Sequence, residues 1–511
     1  MSLKEDTLRS IRFGERIAED ELNDLERYFV ATDQWSRVYS GEVDVVYGSK
    51  GAGKSAIYAL IEKRQNDLFD RRILIRSAEN VRGNTAFSGI IADPPPTERD
   101  FIELWKLYFL ILTVSTLREY NLARGNASGL VDVLEQAGLL PQQASLSQLF
   151  EKARAFIWER LFPNKESVEW SFNLDSATGI PTVARKTTFS NAPHDTPKTQ
   201  LPLDDFLSIA DLALQSNGYS LWVLFDRLDV AFNDTPDLER NALRALFRMY
   251  NDFKGFDNIR LKIFVRDDIW DRITAGGFAE ASHITKTTTI EWSYESLVNL
   301  FVRRLLNNAS VIKMLNVERD KVIDDFPAQL EILKQIFPDK VETGNNPETF
   351  RWMTTRIQDG LGKPAPRELI HLSEMIRQRQ VGQIERGEPE PADQQLFDRA
   401  VFKPALSEVS KVRYGQTFKA ENPSLIEYTD KLKGQKTEQT VQTLASLWGV
   451  QEAACEGIVD RLVKAGLFEK RNTKGEVTYW VPFLYRDALE LVQGKETSKV
   501  DVTQHGLFDD S

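Results

Sequence analysis

The sequence predicts an α/β protein whose core is a parallel sheet covered by helices on both faces, followed by a helical unit and a small helix-turn-helix unit with a β wing. Three observations predict it. A glycine-rich loop, GSKGAGKS, lies between an apolar strand pattern and a helix pattern. Further short apolar runs, RRILIRS, SLWVLFD and RLKIFVR, alternate with helical periodicity, the order that lays strands parallel. Near the C-terminus, two short helical patterns precede two strand patterns joined by NTKG.

At 511 residues and 41% hydrophobic content, the chain is long enough for two or three packed units. A net charge of -11 excludes an electrostatic grip on nucleic acid or anionic lipid by the whole surface and leaves only a local basic patch for that role. The single cysteine, Cys455, excludes an internal disulfide framework, and four scattered histidines show no zinc-ligand spacing, so a cytoplasmic protein is expected. The longest apolar stretch, residues 104–117, contains Lys106 and falls short of the roughly 20 residues that span a bilayer. It reads as a buried helix. The opening MSLKEDTLRS leads into no apolar segment of signal-peptide length, so neither export nor a membrane is expected.

In chain order, residues 11–40 read as helix, 43–47 as a strand, and the loop 48–53 opens a helix at Lys54. A strand at 71–77 is followed by helical patterns to about residue 162. A Gly/Pro/Ser-punctuated hairpin then suggests an insertion at about 164–203. A helix at 203–216 leads to a strand ending at Asp226, and another apolar strand ends at Arg266. These elements set the expected boundaries: a nucleotide-binding unit at 1–293, a helical unit at 294–384, a charged proline-containing linker with a helical segment at 385–421, the winged unit at 422–493 and a polar tail at 494–511.

The loop Gly48, Ser49, Lys50, Gly51, Ala52, Gly53, Lys54, Ser55 has the spacing a triphosphate needs. Glycines let consecutive backbone N–H groups turn towards the phosphates, Lys54 neutralises β/γ charge, and the Ser55 hydroxyl ligates Mg²⁺ at the positive end of the following helix. Such a loop calls for an apolar strand ending in an acid that holds the metal shell, and LWVLFDRLD supplies Asp226. Asp229 is the candidate for polarising the attacking water. Many ATPases with this loop place a glutamate directly after the metal-binding acid, and Arg227 stands there, so hydrolysis is expected to be slow. Arg266, at the next strand end, is placed to sense the γ-phosphate, and Arg367, in the first turn of a helix after a Pro-rich bend, is a candidate lid arginine. Arg240, Arg244 and Arg248 share a helix face that reads as solvated rather than as arginine fingers.

The order FGERIAEDEL, GSKGAGKS, LWVLFDRLD, KIFVRDD, IEWSYESLVNLFVRRL and KPAPRELIHL resembles P-loop ATPases of the STAND and AAA+ group, in particular bacterial members met in anti-phage defence loci. The resemblance implies a P-loop NTPase fold with a helical lid and a winged helix, ATP and Mg²⁺ as ligands, Walker A at residues 48–55 and Walker B at Asp226, with Asp229 as the second acid. It assigns Arg266 to the first sensor, Arg367 to the lid sensor, and Phe13 with Gly14 to the adenine.

In the winged unit, the second helix offers Arg461 and Lys464 against Glu452, Glu456 and Asp460, and the wing adds Lys470, Arg471 and Lys474. That balance favours a protein contact over a DNA grip. Trp480, Phe483 and Tyr485 read as core or interface aromatics. The functional expectation is a nucleotide-gated switch that assembles with itself or docks a partner protein. The alternative is a DNA-binding ATPase resembling origin-recognition proteins, engaging duplex through the winged helix. A small-molecule phosphotransferase would need an acceptor pocket and base that the sequence does not show.

Overall fold

The apolar runs SLWVLFD and RLKIFVR become strands buried on both faces. The computed structural model describes residues 2–15, 21, 24–79, 97–161, 166–174, 180–189, 202–226, 236–392, 394–473 and 475–495. The chain divides into two compact units, one of Ala31–Ile290 and one of Met1–Val30 with Glu291–Ser511.

In the first unit the strands are β1 (Val45–Gly48), β2 (Ile73–Ser77), β3 (Glu166–Leu174), β4 (Pro181–Phe189), β5 (Ser220–Phe225), β6 (Ile259–Arg266) and β7 (Thr287–Thr289). Five of them form a sheet in the order β2-β5-β6-β1-β7, every pair parallel. Leu221 to Phe225 of β5 and Leu261 to Val265 of β6 are buried throughout, as expected for central strands covered by helices on both faces. Parallel pairing brings all carboxyl ends to one edge, where β6 separates the strand ending at Asp226 from the strand that feeds the glycine loop.

The helix Glu98–Glu119 starts at a Thr97 capping box and buries a run of side chains from Phe101 to Leu117. Its Lys106 lies 2.8 Å from Asp204 and 2.9 Å from Asp252, which is how a charge is tolerated in so apolar a helix. Among the described residues, no helix is long and apolar enough to cross a membrane. Within the expected insertion, β3 and β4 form an antiparallel hairpin, and Phe172 ties it to the core through Phe156 at 5.3 Å and Phe206 at 5.9 Å.

Two expectations change. Residues 11–40 are not one helix: Asp33–Ser40 is a separate helix whose N-cap, Thr32, accepts the Trp35 N–H, and Gly14 upstream takes a left-handed φ of 82°. Residues 2–13, expected with the sheet, pack in the second unit, where Leu8, Ile11 and Phe13 join Leu297, Val298 and Phe301.

In that second unit, helices including Tyr294–Leu305, Thr349–Arg356, Pro366–Glu385 and Phe402–Val412 surround one core. The C-terminal part contains β8 (Lys436–Gln439), helices Val441–Trp448 and Glu452–Lys464, then β9 (Glu469–Thr473), β10 (Glu476–Trp480) and β11 (Val492–Lys495), in the sheet order β11-β8-β10-β9. Two helices followed by an antiparallel strand pair stand here in the order expected of a winged helix-turn-helix. Its first helix is N-capped by Thr440 and stopped by Gly449 at φ 70°. The helical and winged parts meet closely: the Gly360 N–H donates to the Gly466 carbonyl at 2.7 Å, and a Cβ added at Gly360 would lie 2.3 Å from the Phe468 carbonyl oxygen.

Candidate nucleotide site

The site grows from the end of β1. Register pairs Gly48 with Arg266, so the first loop glycine and the strand-end arginine lie side by side. Gly51 and Gly53 take φ values of 81° and 105°, backbone that side chains with a Cβ rarely adopt. Gly48 needs its missing side chain for a different reason: a Cβ there would come within 3.3 Å of the Ala52 Cβ. The helix Lys54–Lys63 opens directly from this loop, placing its first-turn amides and its positive dipole end there.

Lys54 is buried and folds back over the loop, its Nζ donating to the carbonyls of Gly48 at 2.8 Å and Ser49 at 3.0 Å. The Ser55 hydroxyl donates to Asp226 Oδ2 at 3.0 Å. Two hard oxygen donors, on a helix start and a strand end far apart in sequence, are thus brought to hydrogen-bond distance, the donor set a Mg²⁺ beside phosphates takes. Asp226 itself is buried at the carboxyl edge of β5.

Arg266 pairs with Asp268, with Nε to Oδ1 at 2.9 Å and Nη2 to Oδ2 at 3.0 Å. Arg367 occupies the first turn of Pro366–Glu385, as expected from the Pro-rich bend before it. Phe13, assigned by resemblance to the adenine, is buried and stacks on Phe301 at 5.5 Å in the core of the second unit. At Gly14, a Cβ would meet Arg304 Nη1 and Glu21 Oε2, because the buried Arg304–Glu21 ion pair closes over that turn. Asp229, the candidate base, lies outside the described residues, as do Arg227 and Lys474.

Sequence reasoning missed Glu79. The β2–β5 ladder continues through the Ala78 N–H to the Leu224 carbonyl at 2.8 Å, so Glu79 stands abreast of Asp226 at the carboxyl edge, and it is buried. Its carbonyl accepts the Tyr58 hydroxyl at 3.2 Å, and burial followed by the nearby Glu62 carboxylate pushes that phenol well above its ordinary range. The available signal was position: a polar residue just past an apolar strand that reaches the same edge.

Of the three arginines on Pro236–Phe253, Arg240 is exposed, whereas Arg244 and Arg248 are held by neighbouring groups. Arg244 donates to the carbonyls of Ile273, Ala275 and Gly277, and Arg248 pairs with Glu98 at 2.7 Å and Glu280 at 3.0 Å. In the winged part, Tyr485 is a core residue as expected, whereas Phe483 is packed by the guanidinium carbons of Arg356 at 3.6 Å and Arg486 at 3.9 Å.

No protein-family model and no curated protein matches the chain. Among solved structures it is similar to the Aeropyrum pernix ORC2 protein in ADPNP-ADP complexes, with 12% identity, 92% of each chain covered and a TM-score of 0.38. It is also similar to the A. pernix ORC1 protein in complex with DNA, at 10% identity over 93% of this chain and 96% of that one, TM-score 0.32. A third is Cdc6p from Pyrobaculum aerophilum, at 10% identity over 91% and 96% of the chains, TM-score 0.28. At TM-scores this low, the likeness carries no weight for the function of this chain. The chain's own strand order, glycine loop and Ser55–Asp226 pair are those of an α/β P-loop NTPase fold.

Proposed function

We propose that the protein is a cytosolic, ATP-binding, Mg²⁺-dependent P-loop ATPase that works as a nucleotide-gated switch. The observation that carries this reading is the Ser55 hydroxyl on Asp226 at 3.0 Å, beside a loop whose lysine is already folded over it. Ser55 and Asp226 would hold the metal, the loop amides and Lys54 the phosphates, and Mg²⁺ would supply charge neutralisation between the β- and γ-phosphate oxygens. The preference for adenine rests on the resemblance to STAND and AAA+ ATPases.

The switch follows from Arg266. It pairs with Asp268, and a triphosphate on the loop would offer a stronger, doubly charged competitor near Gly48. Arg367 is assigned to the same phosphate by resemblance alone. Hydrolysis would be slow, with Asp229 positioning water and Arg227 where a catalytic glutamate is usual. The triphosphate state would favour self-assembly or docking of a partner protein, in line with the defence role that the resemblance implies.

The winged helix does not strengthen the duplex-binding alternative. The exposed face of Glu452–Lys464 presents Glu452, Glu456 and Asp460, while Arg461 is engaged by Ser424 and Arg471 by Glu469 at 2.9 Å. Mass photometry without nucleotide, with ADP and with a non-hydrolysable ATP analogue tests the switch. An assembly seen only with the triphosphate analogue, and lost in Lys54→Ala, is expected. One size in every state would refute self-assembly, and DNA or a partner protein would be the next ligand to try.

A further inference from the structure

Away from the phosphate loop, the amino-terminal end of the sheet carries a patch of aromatic rings and arginines that the nucleotide site does not use. β2 enters the sheet with Ile73 paired to Ser220, and its five residues, at about 3.3 Å each, put this end roughly 17 Å from the carboxyl edge. Phe69 and Tyr120 are 39% and 40% exposed and stack with centroids 5.9 Å apart at 26°. Phe69 also meets Tyr219 at 5.6 Å. The Arg72 guanidinium lies over the Tyr219 ring at 5.1 Å and donates to its hydroxyl at 2.8 Å. Arg71 lies over Tyr39 at 5.1 Å and donates to the Tyr39 carbonyl at 3.2 Å.

Both arginines are exposed, and neither forms an ion pair among the described residues, although Asp67 and Asp70 belong to the adjoining helix Gln65–Asp70. In a chain of net charge -11, two neighbouring guanidiniums held on ring faces without a carboxylate are a local exception to the average. The turns that present them are fixed: Arg72 and Asn121, next to Phe69 and Tyr120 respectively in the patch, take left-handed φ values of 63° and 55°.

We propose that this patch binds single-stranded nucleic acid, the arginines meeting phosphates and the exposed rings stacking on bases. Exposed aromatics interleaved with unneutralised arginines match a strand whose bases are free, because each base has a flat face for a ring and each phosphate a charge for a guanidinium. A duplex hides those faces, and an acidic peptide would use the arginines but leave the Phe69–Tyr120 stack idle.

Fluorescence anisotropy of the full chain at low salt, with labelled oligo-dT and oligo-U of about 20 nucleotides, tests the proposal. Binding of either oligomer is expected, and a preference between them identifies DNA or RNA. The variant Arg71→Gln with Arg72→Asn keeps a residue that tolerates the left-handed turn. It is expected to weaken binding at least about tenfold and to flatten the salt dependence by about 1.4 in log–log slope, for two lost phosphate contacts. Tyr120→Ala should weaken binding by about tenfold with the salt slope unchanged. Unaltered melting temperature and ATP affinity in both variants show that the fold and the phosphate site are intact. Absence of wild-type binding, undiminished binding in the variants, or equal affinity for heparin or poly-glutamate would overturn the proposal.

Discussion

Lys54 folds back over the glycine loop with its charge directed at the Gly48 and Ser49 carbonyls, so the loop holds its shape while the ammonium stays where β/γ charge would arrive. Charge-assisted hydrogen bonds contribute about 1.5–3 kcal/mol each, so Lys54→Ala should weaken ATP binding by roughly ten- to a hundred-fold, read by a fluorescent nucleotide analogue. Unchanged affinity would remove Lys54 from the site. At this scale the sequence was legible where phosphate geometry dictates spacing: Gly48, Gly53, Lys54, Ser55 and Asp226 stand together as their order implies. Phe13 shows the limit. A ring near a turn reads the same whether it stacks on a base or packs in a core, and only the distant Phe301 reveals that its face is covered. Arg266 shows a milder one, because its bidentate reach to Asp268 depends on how the helix Asp267–Thr274 leaves the strand.

The elements were legible where periodicity is strong. The helix Leu203–Ser216, the apolar strands β5 and β6 and the C-terminal pair of helices with its hairpin follow their patterns, whereas residues 11–40 mix helical periodicity with a glycine turn and an N-cap that divide it. Strand β6 hides a charge that its apolar run masks. Lys262 is fully buried, donates to Asp44 Oδ1 at 2.8 Å and lies 4.5 Å from the Trp222 ring centroid, and burial lowers its pKa to about 8 despite the Asp44 carboxylate. An unfolded lysine titrates near 10.4, so between about pH 8 and 10 the unfolded chain binds more protons at this site than the folded one. Its contribution to stability therefore rises with pH across that window. Urea midpoints at several pH values should show wild type gaining on Lys262→Met as pH increases from about 8; a constant difference would mean that the lysine is not desolvated. Between elements, Gly360 is closely covered by backbone, and Gly360→Ala would force a Cβ against the Phe468 carbonyl and strain the bond to Gly466. A loss of about 1–3 kcal/mol is expected in thermal or denaturant unfolding, and an unchanged midpoint would show that the contact between helical and winged parts is loose.

For the whole molecule, the sequence conveys the order of parts better than their grouping. The sheet strands, the helical segment and the C-terminal helices with their hairpin follow one another along the chain, but the association of residues 2–13 with Leu297, Val298 and Phe301 joins the amino-terminal segment to mid-chain residues, a long-range contact that no local window contains. The charge of -11 excludes a grip by the whole surface, so both proposed ligands fall to local sites, the glycine loop for a triphosphate and the Arg71–Arg72 patch for a strand. The central claim is that the site holds ATP through Mg²⁺ bound by Ser55 and Asp226. Isothermal titration of ATP into the full chain, with Mg²⁺ and with EDTA, in wild type and Ser55→Ala, tests it directly. Mg²⁺ should tighten wild-type binding by at least about tenfold, near 1.4 kcal/mol, and leave Ser55→Ala nearly unaffected. ATP binding of equal strength with and without Mg²⁺, or no ATP binding at all, would contradict it.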